Sequence, residues 1–231
     1  MVTPLKTLMG FSVHLNVQLK FYNLPFDKTL ADTGEVSVIA TQDAFRAFGL
    51  VPPVKEQILD LMGIPAEISV PKMTDKELSA DDVKKICTEF RTIYKVIEFN
   101  NTKLYPTIDQ LLMSLRRKKK NLFVVSSKAT DPLNRNLENL GILNLFHDIV
   151  GCDKVKNYKP APDGINLLVE KYNLNKEESV MIGDARYDLQ MGKNAGVKTI
   201  GAEWGAFSVD SLVKEEPTYL AKEPLEILNF S

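Results

Sequence analysis

Histidine and cysteine are scarce in this 231-residue chain, with two of each and a single tryptophan. Cys87 and Cys152 have no metal-ligand spacing, which excludes a cysteine-based zinc site or disulfide framework and makes a reduced, cytoplasmic setting the simplest expectation. His14 and His147 are too few for a histidine-rich metal site and argue against a catalytic triad. Charge of one sign is lacking as well. Lys+Arg 29 against Asp+Glu 30 leaves a net charge of −1, with no surplus to attract nucleic acid or an acidic partner. Long apolar runs are absent: the patch from Thr7 to Val17 is broken by His14 and Asn16 and is followed by no small-residue cleavage site. Neither a secretory signal nor a membrane span is expected.

What is present alternates. Val17, Leu19, Phe21, Tyr22 and Leu24 form an apolar run that reads as a strand delivering Asp27 and Thr29 to its C-terminal end. Helical patterns follow over Glu35–Phe48, Val54–Met62 and the stretch capped at Ser79, where Val83, Ile86, Phe90, Ile93 and Ile97 recur every three or four residues. Residues 34–103 carry no strand pattern and read as an all-helical insertion. Thr107 and Gln110 have the spacing of a capping box ahead of Ile108, Leu111, Leu112 and Leu115. The basic run Arg116–Lys120 at the end of that helix compensates its dipole and needs no nucleic acid to explain it. Strands are expected at Leu122–Val125, Asp148–Val150, Ser179–Ile182 and Val197–Gly201, with helices between them. That order predicts an α/β fold, a Rossmann-like doubly wound parallel sheet with an inserted helical cap. The core is residues 1–33 and 104–231, and the cap is residues 34–103.

Asp27, Ser126, Lys159 and Asp184 all fall just past strand ends, the edge where open α/β sheets bind ligands. Asp184 and Asp188, four residues apart at a strand-to-helix turn, make with Asp27 a set of hard oxygen donors suited to Mg²⁺. Ser126 offers a hydroxyl and nearby backbone N–H groups to phosphoryl oxygens, and Lys159 offers a point charge to the same group. Carboxylates, a metal and a cation around a phosphate spell phosphoryl transfer by electrostatic clamping.

The order of these elements resembles the haloacid dehalogenase superfamily of phosphatases, in its phosphoglycolate phosphatase-like branch with a helical cap. The likeness runs from about Phe21 onward. Asp27-Lys28-Thr29-Leu30-Ala31-Asp32-Thr33 is similar to the second half of the first motif, Asp-x-Asp-x-Thr. Val124-Val125-Ser126-Ser127-Lys128 resembles the second motif, Tyr158-Lys159-Pro160 the third, and Gly183-Asp184-Ala185-Arg186-Tyr187-Asp188 the fourth. The resemblance implies an Mg²⁺-dependent hydrolase of a small phosphorylated metabolite, phosphoglycolate- or sugar-phosphate-like, with no nucleic-acid or membrane partner. It casts Asp27 as acid and base, with its backbone carbonyl on the metal. Ser126 and Lys159 hold the phosphoryl group, Asp184 supplies a carboxylate to Mg²⁺, and Asp188 supports it.

The nucleophile of that scheme falls on Pro25, which has no carboxylate and no backbone N–H. Three readings stay open at this level. The chain is an impaired or non-catalytic relative that binds a phosphorylated metabolite or a protein; or the register shifts and Asp27 is itself the nucleophile; or residues 1–26 are foreign to the family pattern.

Overall fold

The computed structural model describes residues 19–230, so Val17 and His14 lie outside the described residues. Element order is β1 (Phe21–Leu24), β2 (Ala31–Asp32), α1 (Gly34–Ala47), α2 (Lys55–Asp60), α3 (Ala66–Ser69), α4 (Ala80–Asn101), β3 (Lys103–Leu104) and α5 (Ile108–Arg117). It continues with β4 (Asn121–Val125), α6 (Thr130–Asn139), β5 (Asp148–Val150), α7 (Asp163–Tyr172), β6 (Ser179–Gly183), α8 (Arg186–Ala195), β7 (Lys198–Ala202), α9 (Val209–Lys214) and β8 (Tyr219–Ala221). Six strands form one parallel sheet in the order β5-β4-β1-β6-β7-β8. This is the α/β Rossmann-like arrangement expected from the alternation of strands and helices. No helix among the described residues is long and apolar enough to cross a membrane.

Alternation along the strands explains the two covered faces. Tyr22, Leu24, Leu122, Val124, Val180 and Ile182 point into one cluster with Ile108, Leu111, Leu112 and Leu115 of α5. Phe123, Val125 and Met181 point the other way, onto Ile165 and Leu168 of α7 and Met191 of α8. On this second face β1 presents Asn23, which is buried and donates Nδ2 to the carbonyl of Val180 at 3.1 Å while its Oδ1 has no partner among the described residues.

The Tyr22 hydroxyl is also buried without a partner among the described residues, and burial pushes the phenol well above its ordinary range. A buried hydroxyl that loses its water without gaining a bond is a net cost. Tyr22→Phe is therefore expected to raise unfolding stability by about 1 kcal/mol in urea denaturation. An unchanged or lower midpoint would mean that the hydroxyl is solvated after all.

Helices α1 to α4 have a cluster of their own, including Val38, Phe45, Ile58, Ile86 and Cys87. The first turn of α4 is closed by Ser79, whose Oγ accepts the Asp82 N–H while the Asp82 carboxylate accepts the Ser79 N–H. Two details differ from the sequence expectation. Residues 34–103 are not purely helical: Lys103 belongs to β3, which pairs antiparallel with β2 where the chain enters and leaves the helical block. Two-residue strands are too short to show a period. The capping box at Thr107 does not form either. Thr107 sits at φ 67° in left-handed backbone and its side chain makes no capping bond. In the basic run, Lys120 turns inward and donates to the carbonyl of Leu19 at 2.7 Å.

Candidate active site

The segment after β1 folds back on itself. The Phe26 carbonyl accepts the N–H groups of Leu30 and Ala31 at 3.1 and 3.0 Å, and Lys28 N–H donates to Ala31 at 2.8 Å. Pro25 is buried directly past the last paired residue of β1, so its missing N–H removes no bond from the ladder. Three contacts from distant parts of the chain fix this loop. Thr29 Oγ1 donates to Asp184 at 2.6 Å, and Trp204 Nε1 donates to the Thr29 carbonyl at 3.0 Å. At Gly205 an added Cβ would lie 1.6 Å from the Lys28 carbonyl oxygen, so only glycine allows the β7 loop this close. Trp204 thus packs against the loop that carries Asp27.

Ser126, Lys159, Asp184 and Asp188 are all buried at the same edge of the sheet. Ser126 follows β4, and its Oγ accepts the Lys128 N–H at 3.1 Å. Lys159, preceding a cis peptide to Pro160, pairs with Asp188 at 2.7 Å, with side chains 5% and 2% exposed. Asp188 also accepts the Ala185 N–H at 3.2 Å, closing the first turn of α8. Its side chain folds over Gly183, where an added Cβ would come within 2.2 Å of the Asp188 Cβ. Asp184 makes no ion pair among the described residues, although the Lys28 charge nearby favours its ionised form. Burial first, and then the neighbouring Asp188 carboxylate, push Asp184 well above the ordinary carboxylate range.

Asp27 faces the helical block. Its Oδ1 lies 3.3 Å from Lys128 Nζ and 3.5 Å from the Tyr94 hydroxyl of α4. Lys128 also donates to Tyr94 at 3.1 Å and to Asn136 at 2.9 Å, and it stands over the rings of Phe26 and Tyr94. Burial opposes the Lys128 charge, but Asp27 and Tyr94 outweigh it and hold the ammonium above its ordinary range. Burial pushes the Tyr94 phenol up to about 12. Sequence reasoning placed Lys128 in a motif without giving it a role. Its partners lie on separate elements, and no local pattern announces them.

Other contacts cross the same seam. Arg135 pairs with the buried Glu98 at 2.7 Å, and Ser127 Oγ donates to the Gly63 carbonyl at 2.6 Å. Two clefts open beside the site. One of about 270 Å³ is lined by Ser126, Asn157, Tyr158 and Lys159. A second of about 360 Å³ is lined by Lys28, Leu59, Asp60, Asp184 and Arg186.

The donor set for a metal is thinner than the three-carboxylate cluster expected from the sequence. Among the described residues no group of three His, Cys, Asp or Glu side chains could hold a metal ion. In this structure Asp188 pairs with Lys159 and Asp27 with Lys128, and Asp184 is the carboxylate of the three without an ion pair among the described residues. A buried carboxylate that accepts the neutral Thr29 hydroxyl still fits Mg²⁺, which binds through one or two carboxylates and keeps several waters.

A family model described as haloacid dehalogenase-like hydrolase matches residues 25–202. A phosphoglycolate phosphatase of Vibrio vulnificus (strain CMCP6) is 27% identical over 218 residues, covering 92% of this chain and 96% of its own. The pyrophosphatase PpaX of Bacillus velezensis is 28% identical over 211 residues, covering 89% and 93%. Among solved structures, a haloacid dehalogenase-like hydrolase from Streptococcus pneumoniae superposes with a TM-score of 0.81 at 26% identity, covering 92% of this chain and 98% of that one. A hydrolase from Pseudomonas syringae has a TM-score of 0.82 at 22% identity, covering 92% and 97%, and shares the fold. The chain therefore belongs to the haloacid dehalogenase-like hydrolases.

Proposed function

We propose that the chain carries an Mg²⁺-dependent site for a small phosphomonoester, phosphoglycolate- or sugar-phosphate-like, whose hydrolysis is impaired because Pro25 stands at the nucleophile position. The observation that carries this reading is the 2.6 Å bond from Thr29 to Asp184. It ties the loop after β1 to the loop after β6 in a register that turns Asp27 toward the helical block, as an acid and base for a leaving group requires. Ser126 and Lys159 hold phosphoryl oxygens in this scheme. Lys159 carries a point charge into a buried place, where it is worth more than in water. The Asp184 carboxylate and the Asp27 backbone carbonyl hold Mg²⁺, with Asp188 in support. When bound, the ion neutralises charge on the transferring phosphoryl group. Residues 34–103 act as a cap over a core formed by 1–33 and 104–231, in a protein of the cytoplasm.

Phosphate release tests this reading. With Mg²⁺ and a panel including phosphoglycolate, pyrophosphate and sugar phosphates, the unmodified chain is expected to show only residual release, abolished by EDTA. Rapid turnover that survives EDTA would overturn it. A second reading is favoured by Pro25 itself: a non-catalytic relative that binds a phosphorylated metabolite or a protein partner and turns nothing over. Measurable turnover that disappears in Asp27→Asn would exclude this second reading, and a phosphoryl group trapped on Asp27 of the unmodified chain would make Asp27 the nucleophile.

A further inference from the structure

Lys28 is the residue of the site loop that the scheme above leaves unused. It sits at φ 61°, in left-handed backbone that lysine adopts at a cost and glycine adopts freely. Strain of this kind persists where surrounding structure enforces it, and it collects at functional sites. Here the enforcing contacts are the Lys28 N–H bond to Ala31 and the close approach of Gly205 to the Lys28 carbonyl. The side chain is half-buried and lines the 360 Å³ cleft between the helical block and the sheet edge, beside Asp184. Its ammonium makes no hydrogen bond and no ion pair with the described residues. The other cation of the cleft is already engaged: Arg186 donates to Asp60 at 3.4 Å and to the Tyr187 hydroxyl at 3.0 Å. The cleft thus has one positive charge that no hydrogen bond or ion pair among the described residues holds in place, although it acts at longer range on Asp184; it stands next to the proposed phosphoryl site and on its helical-block side.

We infer that Lys28 is a specificity-determining residue that binds a second anionic group, a carboxylate or phosphate, on the leaving-group side of the phosphomonoester. The inference rests on the phosphomonoester reading above. It gives the strained backbone a purpose, since glycine at this position would relax the loop but carry no charge. A lysine ammonium can follow either anion because it is a flexible point charge rather than a planar fork.

The test is calorimetric binding to the full chain with Mg²⁺, using four probes: orthophosphate, ethyl phosphate with its neutral tail, phosphoglycolate with a carboxylate tail, and pyrophosphate with a phosphate tail. At least one anion-tailed probe is expected to bind about tenfold more tightly than ethyl phosphate, the size of one charge-assisted hydrogen bond. The preferred tail identifies the anion. Lys28→Met and Lys28→Gly should both erase that preference while leaving ethyl phosphate within about twofold, and Lys28→Arg should keep most of it. Lys28→Gly should also melt about 2–4 °C higher, because the backbone strain is relieved. That gain separates loss of recognition from loss of folding. A preference that survives both substitutions overturns the inference and leaves the phosphomonoester site standing. An equal weakening of all four probes also overturns it, because Lys28 would then only offset the charge of Asp184. Failure of the unmodified chain to bind orthophosphate would remove the phosphomonoester reading, and this inference with it.

Discussion

Pro25→Asp is expected to raise phosphate release from phosphoglycolate with Mg²⁺ by on the order of 10⁴, the scale on which losing a covalent nucleophile silences other enzymes. The substitution puts a carboxylate between Leu24 and Phe26, at the end of the central strand and two residues before Asp27. It should be tolerated by the backbone, because Pro25 lies past the last paired residue of β1 and the new N–H adds a donor without displacing one. The new carboxylate is buried, so its charge must be met. With Lys159 already paired to Asp188, a metal on Asp184 is the main charge to meet it, and the variant should accordingly be less stable in EDTA than in Mg²⁺. The pair of measurements is steady-state phosphate release and a melting curve with and without metal. A variant that folds normally and gains no activity would show that more than the nucleophile has been lost.

Lys159→Met should be the most destabilising change at the site, by about 3–5 kcal/mol, because it strands a buried charge. The Lys159–Asp188 pair is 5% and 2% exposed, and without the ammonium Asp188 keeps only the Ala185 N–H. Methionine preserves most of the aliphatic stem, so the loss reports charge rather than packing. In a chain of this size the melting temperature should fall by roughly 10 °C. The double variant Lys159→Met/Asp188→Asn should recover most of that loss, since the amide can still accept from Ala185 and carries no charge. Chemical denaturation of the two variants side by side decides the matter. A double variant no more stable than the single one would mean that Lys159 stabilises by packing alone.

The parts of this molecule that were legible in sequence are those with a local signal. The stripe through Val83, Ile86, Phe90, Ile93 and Ile97 marks α4, and Ser79 with Asp82 marks its start. Ser126 and Asp184 could be placed because each directly follows an apolar strand of a parallel sheet, and Asp27 because it lies three residues past another. Elements without a period were missed. β2 and β3 have two residues each, too short to show any period. The backbone state of Lys28 and Thr107 was invisible as well, since residue type favours but does not fix the sign of φ. Long-range polar contacts were missed for a different reason. Lys128 reaches Tyr94 across 34 residues and Thr29 reaches Asp184 across 155, and side-chain chemistry alone does not say which elements meet. The same gap explains the metal donors: spacing brought three carboxylates to one edge, but Lys128 and Lys159 engage two of them.

The central claim is that the phosphate pocket persists although the nucleophile does not, and orthophosphate binding measures it most directly. Titrated calorimetrically into the unmodified chain with Mg²⁺, orthophosphate should bind with a single site. Ser126→Ala should weaken that binding about tenfold or more, because one hydroxyl donor to the anion is lost. No binding in the unmodified chain, or binding indifferent to Ser126, would contradict the account.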